Sequence, residues 1–264
     1  MAELFSDADA YERMMGRWSA RLAPLFVRFA EVSDQAHVLD VGCGTGSLVL
    51  ALTEEGYPAS IVGIDPVEAF VKRATSRFGE DNITFEVGDA TDLPYGDATF
   101  DVALALLVFM FIRDPKKAVA EMKRVTQPRG TVAACIWDRE GVRMSSTFWE
   151  EAVKLDPAAR ERPGMAPGAL GAKGQLESLW KEAGLENVEE VPLDISMGFR
   201  TFEDFWEPFL GGSGPSGAYL TSLPKPARDN LRQALRTRIL AGKPNGPFAL
   251  PARAWAVRGT VPGA

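Results

Sequence analysis

Three glycines recur at every second position in the stretch VLDVGCGTGSLVLAL, which covers residues 38–52. Gly42, Gly44 and Gly46 follow an apolar run that holds Asp40, and a segment with helical spacing comes after them. Glycines at such a junction leave backbone N–H groups and the helix N-terminus bare, so a ligand can approach them closely. The pattern predicts a binding loop but leaves the ligand open, because dinucleotide-binding loops use the related spacing G-x-G-x-x-G, whose sixth position here is Ser47.

Two aspartates at the ends of later predicted strands narrow the range of ligands that the loop could bind. Asp65 ends a strand 19 residues after Gly46, where a carboxylate can accept both hydroxyls of a ribose. Asp89 ends the next strand in VGDA, where a side chain can meet an adenine amino group. Because the carboxyl ends of parallel strands lie along one crevice of a sheet, the loop and both aspartates are expected to surround a single nucleoside.

A parallel sheet is needed to bring these residues together, and the sequence predicts one. Apolar and helical segments alternate five times between residues 37 and 138. The fourth and fifth apolar segments, TFDVALALLVF and GTVAACIWD, are almost unbroken, which is typical of strands buried on both faces. The alternation predicts an α/β, doubly wound domain.

Outside residues 37–138 the sequence lacks this regular alternation of predicted strands and helices. Pro24 is expected to split the first helical segment in two, and Thr201 is expected to cap a later helix. A short helix is expected around Phe148–Leu155 within a stretch rich in Gly, Pro and Ala. The predicted parts are an N-terminal helical lid (1–35), a ligand-binding core (36–138), an insertion (139–173), a core helix and strand (174–200), a helical cap (201–246) and a final core strand with a tail (247–264).

Composition and charge disfavour several kinds of protein. Hydrophobic residues make up 46% and charged residues 25% of the chain, as in ordinary globular proteins. The net charge of −7 disfavours a nucleic-acid partner, which needs clustered Lys and Arg. Two cysteines and one histidine give no basis for a disulfide framework or a metal site.

The longest apolar stretch, Val102–Ile112, is shorter than the roughly 20 residues of a membrane span. Because the first residues lack signal-peptide features, we expect a cytoplasmic location.

At this point the motifs resemble those of the class I S-adenosylmethionine (SAM)-dependent methyltransferases. The segments VLDVGCGTG, VGID, FEVGDATDLPYGDATFDVALA and RVTQPRGTV match in order, and the resemblance is close over residues 36–138. The chain is similar to the small-molecule type, including the enzymes of ubiquinone and menaquinone biosynthesis. The resemblance implies a Rossmann-like, mostly parallel sheet of about seven strands with a final antiparallel strand, plus a helical cap. It also implies SAM as the cofactor and S-adenosylhomocysteine as its product.

The resemblance assigns the methionine and ribose parts of SAM to the first two strand ends. Asp40 and the loop from Gly42 to Gly46, which contains Cys43 and Thr45, would hold the methionine part. Asp65 would hold the ribose. Cys43 is expected to be only a small residue in a tight loop, since no basic neighbour in the sequence would activate its thiol.

The adenine and the methyl group are assigned to the following segments. Pro66 or Val67 would cover one face of the adenine, and Asp89 with the backbone N–H of Ala90 would meet its edge. The residue just past the fourth strand, around Leu106–Phe109, would face both the cofactor and the substrate.

The N-terminal segment is the last part of the implied cofactor site. In related small-molecule enzymes an N-terminal helix closes over the site, which gives Tyr11, Arg17 and Trp18 a role in cofactor binding. Arg17 would pair with the carboxylate of SAM.

The sequence gives no basis for assigning a catalytic residue. Methyl transfer from a sulfonium needs mainly positioning and desolvation. His37 precedes the first strand, at the end of the sheet opposite the site, so a surface or structural role is expected. Arg113, Asp114 and Asp138 follow strands at the correct edge, but Asp114 is expected to cap a helix and Asp138 can simply end a strand.

An aromatic face in the predicted cap leaves two interpretations open. Phe202, Phe205, Trp206 and Phe209 recur at helical spacing. Such a stripe is most often ordinary core, but it can also line an acceptor pocket for a hydrophobic substrate.

The resulting prediction is a methyltransferase that transfers a methyl group to an O, N or C atom of a small-molecule acceptor. Two alternatives stay open: an NAD(P)-dependent oxidoreductase with a Rossmann fold, and a non-catalytic SAM-binding protein. The G-x-G-x-G spacing and Asp89 count against the oxidoreductase. LLVF stands where enzymes that methylate adenine or planar amides carry an Asn-Pro-Pro-Tyr type motif, so those substrates are disfavoured. The sequence makes no prediction of the acceptor's identity or of the oligomeric state.

Overall fold

A computed structural model describes residues 8–55, 58–79, 82–162 and 170–263 of the chain. Its centre is a seven-stranded sheet in the order β3-β2-β1-β4-β5-β7-β6. The strands are β1 (His37–Val41), β2 (Ser60–Asp65), β3 (Ile83–Val87), β4 (Phe100–Leu106), β5 (Thr126–Trp137), β6 (Glu186–Phe199) and β7 (Phe248–Thr260).

The first five strands are parallel, and β7 inserts antiparallel between β5 and β6. The predicted fold class, a Rossmann-like and mostly parallel sheet with a final antiparallel strand, is therefore confirmed. In the register, Val41 of β1 lies beside Ile64, and Asp65 of β2 lies beside Val87 of β3. The carboxyl ends of these strands thus lie side by side at one edge of the sheet.

Helices cover both faces of the sheet, because each strand of the parallel part presents apolar side chains in both directions. Val38 of β1 packs with the helices of one face, and its neighbour Leu39 packs with those of the other. The helices are α1 (Ala8–Tyr11), α2 (Arg17–Ala30), α3 (Ser47–Glu55), α4 (Glu68–Arg77), α5 (Pro115–Val125), α6 (Arg143–Leu155), α7 (Gln175–Glu182), α8 (Phe202–Trp206), α9 (Gly214–Ser222) and α10 (Lys225–Leu240).

The first helical segment differs from its prediction. Pro24 was expected to break it, but α2 runs through Pro24 without interruption, with its neighbours Leu22 and Ala23 fully buried. Packing of this buried face against the sheet compensates for the hydrogen bond that a proline cannot donate. The irregularity lies earlier, in a π-helical turn at Glu12–Gly16 that separates α1 from α2.

The predicted lid of residues 1–35 has two structurally different parts. Helix α2 belongs to the core layer, since its side chains share a buried cluster with α3, β1 and β4. Residues Ala8–Gly16, called here the lid segment, hold the contacts with the glycine loop described below. Residues 1–7 of the predicted lid and 163–169 of the predicted insertion lie outside the described residues. The division into lid, insertion and cap stays a prediction.

The predicted insertion and cap share one aromatic core. Helix α6 contains the helix expected in the insertion and begins five residues before it, at Arg143. Its Phe148 stacks on Phe209 with ring centroids 4.8 Å apart. The predicted N-cap of α8 is confirmed, because the Thr201 hydroxyl accepts a hydrogen bond from the Asp204 backbone N–H. The aromatic stripe is fully buried, which confirms the core interpretation; its members are Phe202, Phe205, Trp206 and Phe209.

The aromatic core gives a stability prediction. We expect Phe209→Ala to lower the free energy of unfolding by about 3 to 5 kcal/mol, because it opens a cavity among packed rings. Leu210→Ala is the matched control: Leu210 is the next residue in the chain and is 47% exposed. Its substitution should cost less than about 1 kcal/mol. Urea denaturation followed by tryptophan fluorescence measures both, and equal losses would contradict the assignment of Phe209 to the core.

Candidate functional site

The glycine loop, residues 42–46, connects β1 to α3 in a left-handed backbone conformation. Gly42, Gly44 and Gly46 have φ values of +75°, +52° and +88°, which residues with a Cβ rarely adopt. A Cβ on Gly42 would overlap the Val108 side chain, and a Cβ on Gly46 would overlap the Phe78 ring. The space next to Gly44 is open. Two glycines are therefore required by packing as well as by backbone conformation, whereas Gly44 presents bare backbone.

Asp65 at the end of β2 holds this loop in place. Its two carboxylate oxygens accept hydrogen bonds from the backbone N–H groups of Gly44, at 3.0 Å, and Val67, at 2.8 Å. The Ile64 carbonyl accepts from the N–H groups of Gly42 and Cys43. Burial raises the pKa of Asp65, while its two backbone hydrogen bonds act in the opposite direction. Each carboxylate oxygen has two acceptor positions, so lone pairs remain for a ligand hydroxyl.

Asp40 lies under the loop without any partner. Its side chain is fully buried, and neither carboxylate oxygen accepts a hydrogen bond. Desolvation, with a further contribution from the charge of Asp65, raises its pKa to about 8. A buried polar group without a partner is costly, and such groups are concentrated where a ligand completes them.

A cavity lies between the lid segment, α2 and the glycine loop. Its lining combines residues of the predicted site with three further residues that the sequence did not predict. The missed residues are Ser19, Ser47 and Leu48. Ser19 had one detectable signal, since it is a polar residue at a core-facing position of an amphipathic helix. The predicted residues in the lining are Tyr11, Asp40, Gly42, Cys43, Gly44, Thr45 and Leu106.

Two side chains of the lid segment pack at this site, Glu12 against the loop and Tyr11 against α4. The Thr45 hydroxyl donates a hydrogen bond to the Glu12 carboxylate. The Tyr11 ring packs on Phe70 of α4 with centroids 5.2 Å apart, and burial raises the pKa of Tyr11. Glu12 was not predicted as a site residue, because an acidic residue in an N-terminal helix is usually solvated.

The two other predicted lid residues point elsewhere. The Arg17 guanidinium donates to the Asp204 carboxylate at 2.8 Å and to the Asp204 carbonyl at 3.0 Å. It also lies over the Trp18 ring, 4.3 Å from the centroid. Trp18 is buried in the aromatic core, next to Phe199. Both residues lie outside the cavity lining, and their contact with a cofactor stays a prediction.

The predicted adenine residues lie at the ends of β2 and β3. Asp89 is exposed, and its Oδ1 accepts from the backbone N–H and the hydroxyl of Thr91, each at 2.7 Å. These hydrogen bonds lower the pKa of Asp89 and keep it ionised. Pro66 and Val67 follow β2 at the start of α4, and Ala90 follows Asp89 half-buried. Their assignment to the adenine stays a prediction.

The other polar candidates have structural partners. His37 is exposed at the amino end of β1, where its Nδ1 lies 2.8 Å from the Ser60 hydroxyl. Asp114 caps α5 by accepting from the Lys117 backbone N–H, as predicted. Asp138 accepts from the Glu140 backbone N–H. Burial raises the pKa of Cys43 well above its usual value, so its thiol stays protonated.

Two absences apply to the part of the chain that the structure describes. Within residues 8–55, 58–79, 82–162 and 170–263, no group of three or more His, Cys, Asp or Glu side chains is arranged to hold a metal ion. No helix in these same ranges is long and apolar enough to cross a bilayer.

The strand order and the glycine loop at the end of β1 define a class I methyltransferase fold. Residues 39–134 match the family model described as a methyltransferase domain. The predicted resemblance to SAM-dependent class I methyltransferases is thereby confirmed. The finer likeness to the ubiquinone and menaquinone enzymes stays a prediction.

Among curated relatives, the malonyl-[acyl-carrier protein] O-methyltransferase of Geobacter sulfurreducens is 32% identical over 136 residues. This match covers 50% of the present chain and 49% of the relative. The chain spans about half the length of the curated relatives that it matches.

Two solved structures illustrate the range of proteins with this fold. Phosphoethanolamine N-methyltransferase 2 of Haemonchus contortus, in complex with phosphomonomethylethanolamine and S-adenosylhomocysteine, has a TM-score of 0.58 at 20% identity. The likeness covers 97% of this chain and 57% of that one. The [4+2]-cyclase SpnF also has a TM-score of 0.58, at 21% identity, over 93% of this chain and 82% of its own. At these identities the likeness concerns the fold alone.

The unpartnered carboxyl of Asp40 gives a pH-dependent prediction. Its pKa is about 8 in the folded protein, against 3.8 ordinarily, so folding favours the protonated form. The carboxyl of Asp40 loses its proton near pH 4 in the unfolded state but keeps it up to about pH 8 in the folded state. The stability that this protonation contributes is therefore complete below about pH 4 and is lost as the pH rises to about 8. We expect Asp40→Asn to stabilise the ligand-free protein at pH 7 by on the order of 2 to 4 kcal/mol. The gain should disappear near pH 4, and urea denaturation at both pH values measures it. A gain or loss that does not change with pH would contradict this account of Asp40.

Proposed function

We propose that the protein is a SAM-dependent methyltransferase that acts on an O, N or C atom of a small molecule. The observation that carries the proposal is the combination of an unpartnered, buried Asp40 with the bare backbone of Gly44 in one cavity. The matched family and the methyltransferase relatives support the same activity.

The residues present fit the three parts of SAM. Asp40 and the glycine loop, with Cys43 and Thr45, would hold the methionine part through carboxylate and backbone groups. Asp65 would accept the ribose hydroxyls with its free lone pairs while it continues to hold Gly44.

The adenine would lie beyond Asp65. Pro66 and Val67 would cover one face of the ring, and Asp89 with the Ala90 N–H would meet its edge. Both hydrogen bonds of Asp89 use Oδ1, so Oδ2 would accept the adenine amino group.

Bound SAM would supply a methyl group activated by a sulfonium. The chain's own contribution would be positioning and exclusion of water. The lid segment contacts the loop through the hydrogen bond between Glu12 and Thr45, and Leu106 is part of the cavity lining. No side chain is assigned as a general base, since burial keeps the Cys43 thiol and the Tyr11 hydroxyl protonated.

The acceptor would be small and not a nucleic acid. Among the residues that the structure describes, none that lines the cavity is Lys or Arg, whereas a nucleic-acid substrate needs a basic groove. The aromatic core is filled by its own side chains, so it would not accept a substrate. The acceptor would approach instead past the segment after β4, where Leu107 adopts a left-handed φ of +61°.

The oxidoreductase alternative is disfavoured by the sheet. A dinucleotide-binding domain continues with a further parallel strand at the position that β7 occupies here in the antiparallel direction.

The proposal is tested by calorimetric titration with S-adenosylhomocysteine, SAM and NAD(P). We expect micromolar binding of the first two and none of NAD(P). Asp65→Asn should weaken S-adenosylhomocysteine binding by about 100-fold, because the amide cannot accept from the N–H groups of Gly44 and Val67 and also from the ribose. Asp101→Asn is the matched control: Asp101 accepts from the His37 backbone N–H at the opposite edge of the sheet. Binding of NAD(P) in place of the adenosyl ligands would overturn the proposal.

A further inference from the structure

We propose that Glu12 is a cofactor-binding residue that accepts the ammonium group of the methionine part together with Asp40, and that the cofactor carboxylate has no basic partner. The proposal rests on the proposed function. It predicts that the site recognises adenosyl ligands by their amino group, so that ligands without the carboxylate still bind.

The chain makes room for Glu12 at the cavity. Glu12 opens the π-helical turn, and a Cβ on Gly16 would overlap its carboxylate. Because Gly16 has no side chain, the carboxylate folds back along the turn and accepts the hydrogen bond of the buried Thr45 hydroxyl. Thr45 lines the cavity, so a carboxylate from the lid segment lies against the loop expected to hold the methionine part.

The carboxyl groups around the cavity are suited to a cation, because a bound ammonium would favour the ionised form of Asp40, which is protonated in the ligand-free protein. Asp40 is fully buried, and both of its oxygens lack partners. Asp65 and Glu12 add two carboxylates at the same loop. The cavity lining contains Asp40 but no Lys or Arg among the described residues. A ligand ammonium would supply the missing donors, because buried charges require an opposite charge and hydrogen bonds.

Of two nearby arginines, Arg17 is bound away from the cavity and Arg77 lies exposed beside the loop. Arg17 makes two hydrogen bonds to Asp204 and lies over the ring of Trp18. Arg77 is exposed; its guanidinium lies over Phe78, and its contact with the Thr45 carbonyl is 3.5 Å long. Apart from Asp40, the polar groups that the described residues place in the cavity lining are hydroxyls, a thiol and backbone groups, which are weaker partners for a carboxylate than a guanidinium.

Binding of four ligands distinguishes the contribution of the ammonium group of the methionine part from that of its carboxylate. They are S-adenosylhomocysteine, its decarboxylated analogue, its deaminated analogue, and methylthioadenosine, which lacks both groups. By calorimetric titration of the full chain, the decarboxylated analogue should bind within about fivefold of S-adenosylhomocysteine, because only a weakly held group is lost. The deaminated analogue should bind at least about tenfold more weakly, since it loses charge-assisted hydrogen bonds.

The variant Glu12→Gln tests whether Glu12 is the residue that contacts the ammonium group. The glutamine oxygen can still accept from Thr45, so the lid contact is retained while the charge is removed. The variant should bind S-adenosylhomocysteine and the decarboxylated analogue about tenfold more weakly, with the affinity for the deaminated analogue unchanged. Glu54→Gln removes one charge from the exposed last turn of α3 and should change none of the affinities.

Arg17→Gln completes the test. It should change the affinities for S-adenosylhomocysteine and the decarboxylated analogue by the same factor, because both lack a contact with Arg17. A selective loss for S-adenosylhomocysteine would overturn the proposal, since it would assign the carboxylate to Arg17. An equal loss of all ligands in Glu12→Gln, or no loss, would also overturn it. If the wild-type chain binds none of the adenosyl ligands, the proposed function itself fails, and this inference fails with it.

Discussion

The site depends on the bidentate hydrogen bonding of one buried carboxylate. Asp65 accepts from Gly44 in the glycine loop and from Val67 at the start of α4, and so joins the ends of β1 and β2. Without it, the loop would keep its hydrogen bonds to the Ile64 carbonyl but lose the contact that fixes Gly44, whose left-handed backbone is costly to order because glycine gains backbone freedom in the unfolded chain. The same oxygens lie where a nucleoside is expected, so the group that shapes the loop is also part of the proposed binding surface.

The cost of this arrangement is concentrated in Asp40. A fully buried carboxyl without hydrogen bonds opposes folding, and a hydrophobic residue there would make the ligand-free protein more stable. Functional sites commonly retain such unfavourable groups because a ligand later satisfies them. The proposed pairing of Asp40 and Glu12 with an ammonium group explains why two acidic side chains approach one loop where the described part of the cavity lining contains no Lys or Arg.

The surrounding elements connect the site to the rest of the chain. The lid segment contacts the loop through Glu12. Helix α2, which follows the lid segment in the chain, has seven buried residues. Arg17, between these two parts, binds Asp204 at the start of α8. The lid, the sheet and the aromatic core are thus linked by specific polar contacts as well as by apolar packing.

The sequence by itself determined the parallel sheet, the glycine loop and the positions of Asp40 and Asp65, because these depend on local periodicity and on strand ends that align in any doubly wound domain. It also indicated that the stripe containing Phe205 is core, which the structure confirms. Only the tertiary structure decided the roles of Pro24, Arg17 and Glu12. Each depends on a partner distant in sequence: the sheet under α2, Asp204 of α8, and Thr45 of the glycine loop. Local propensity carries no information about such partners, since they are set by how helices pack and not by the residues beside them in the chain.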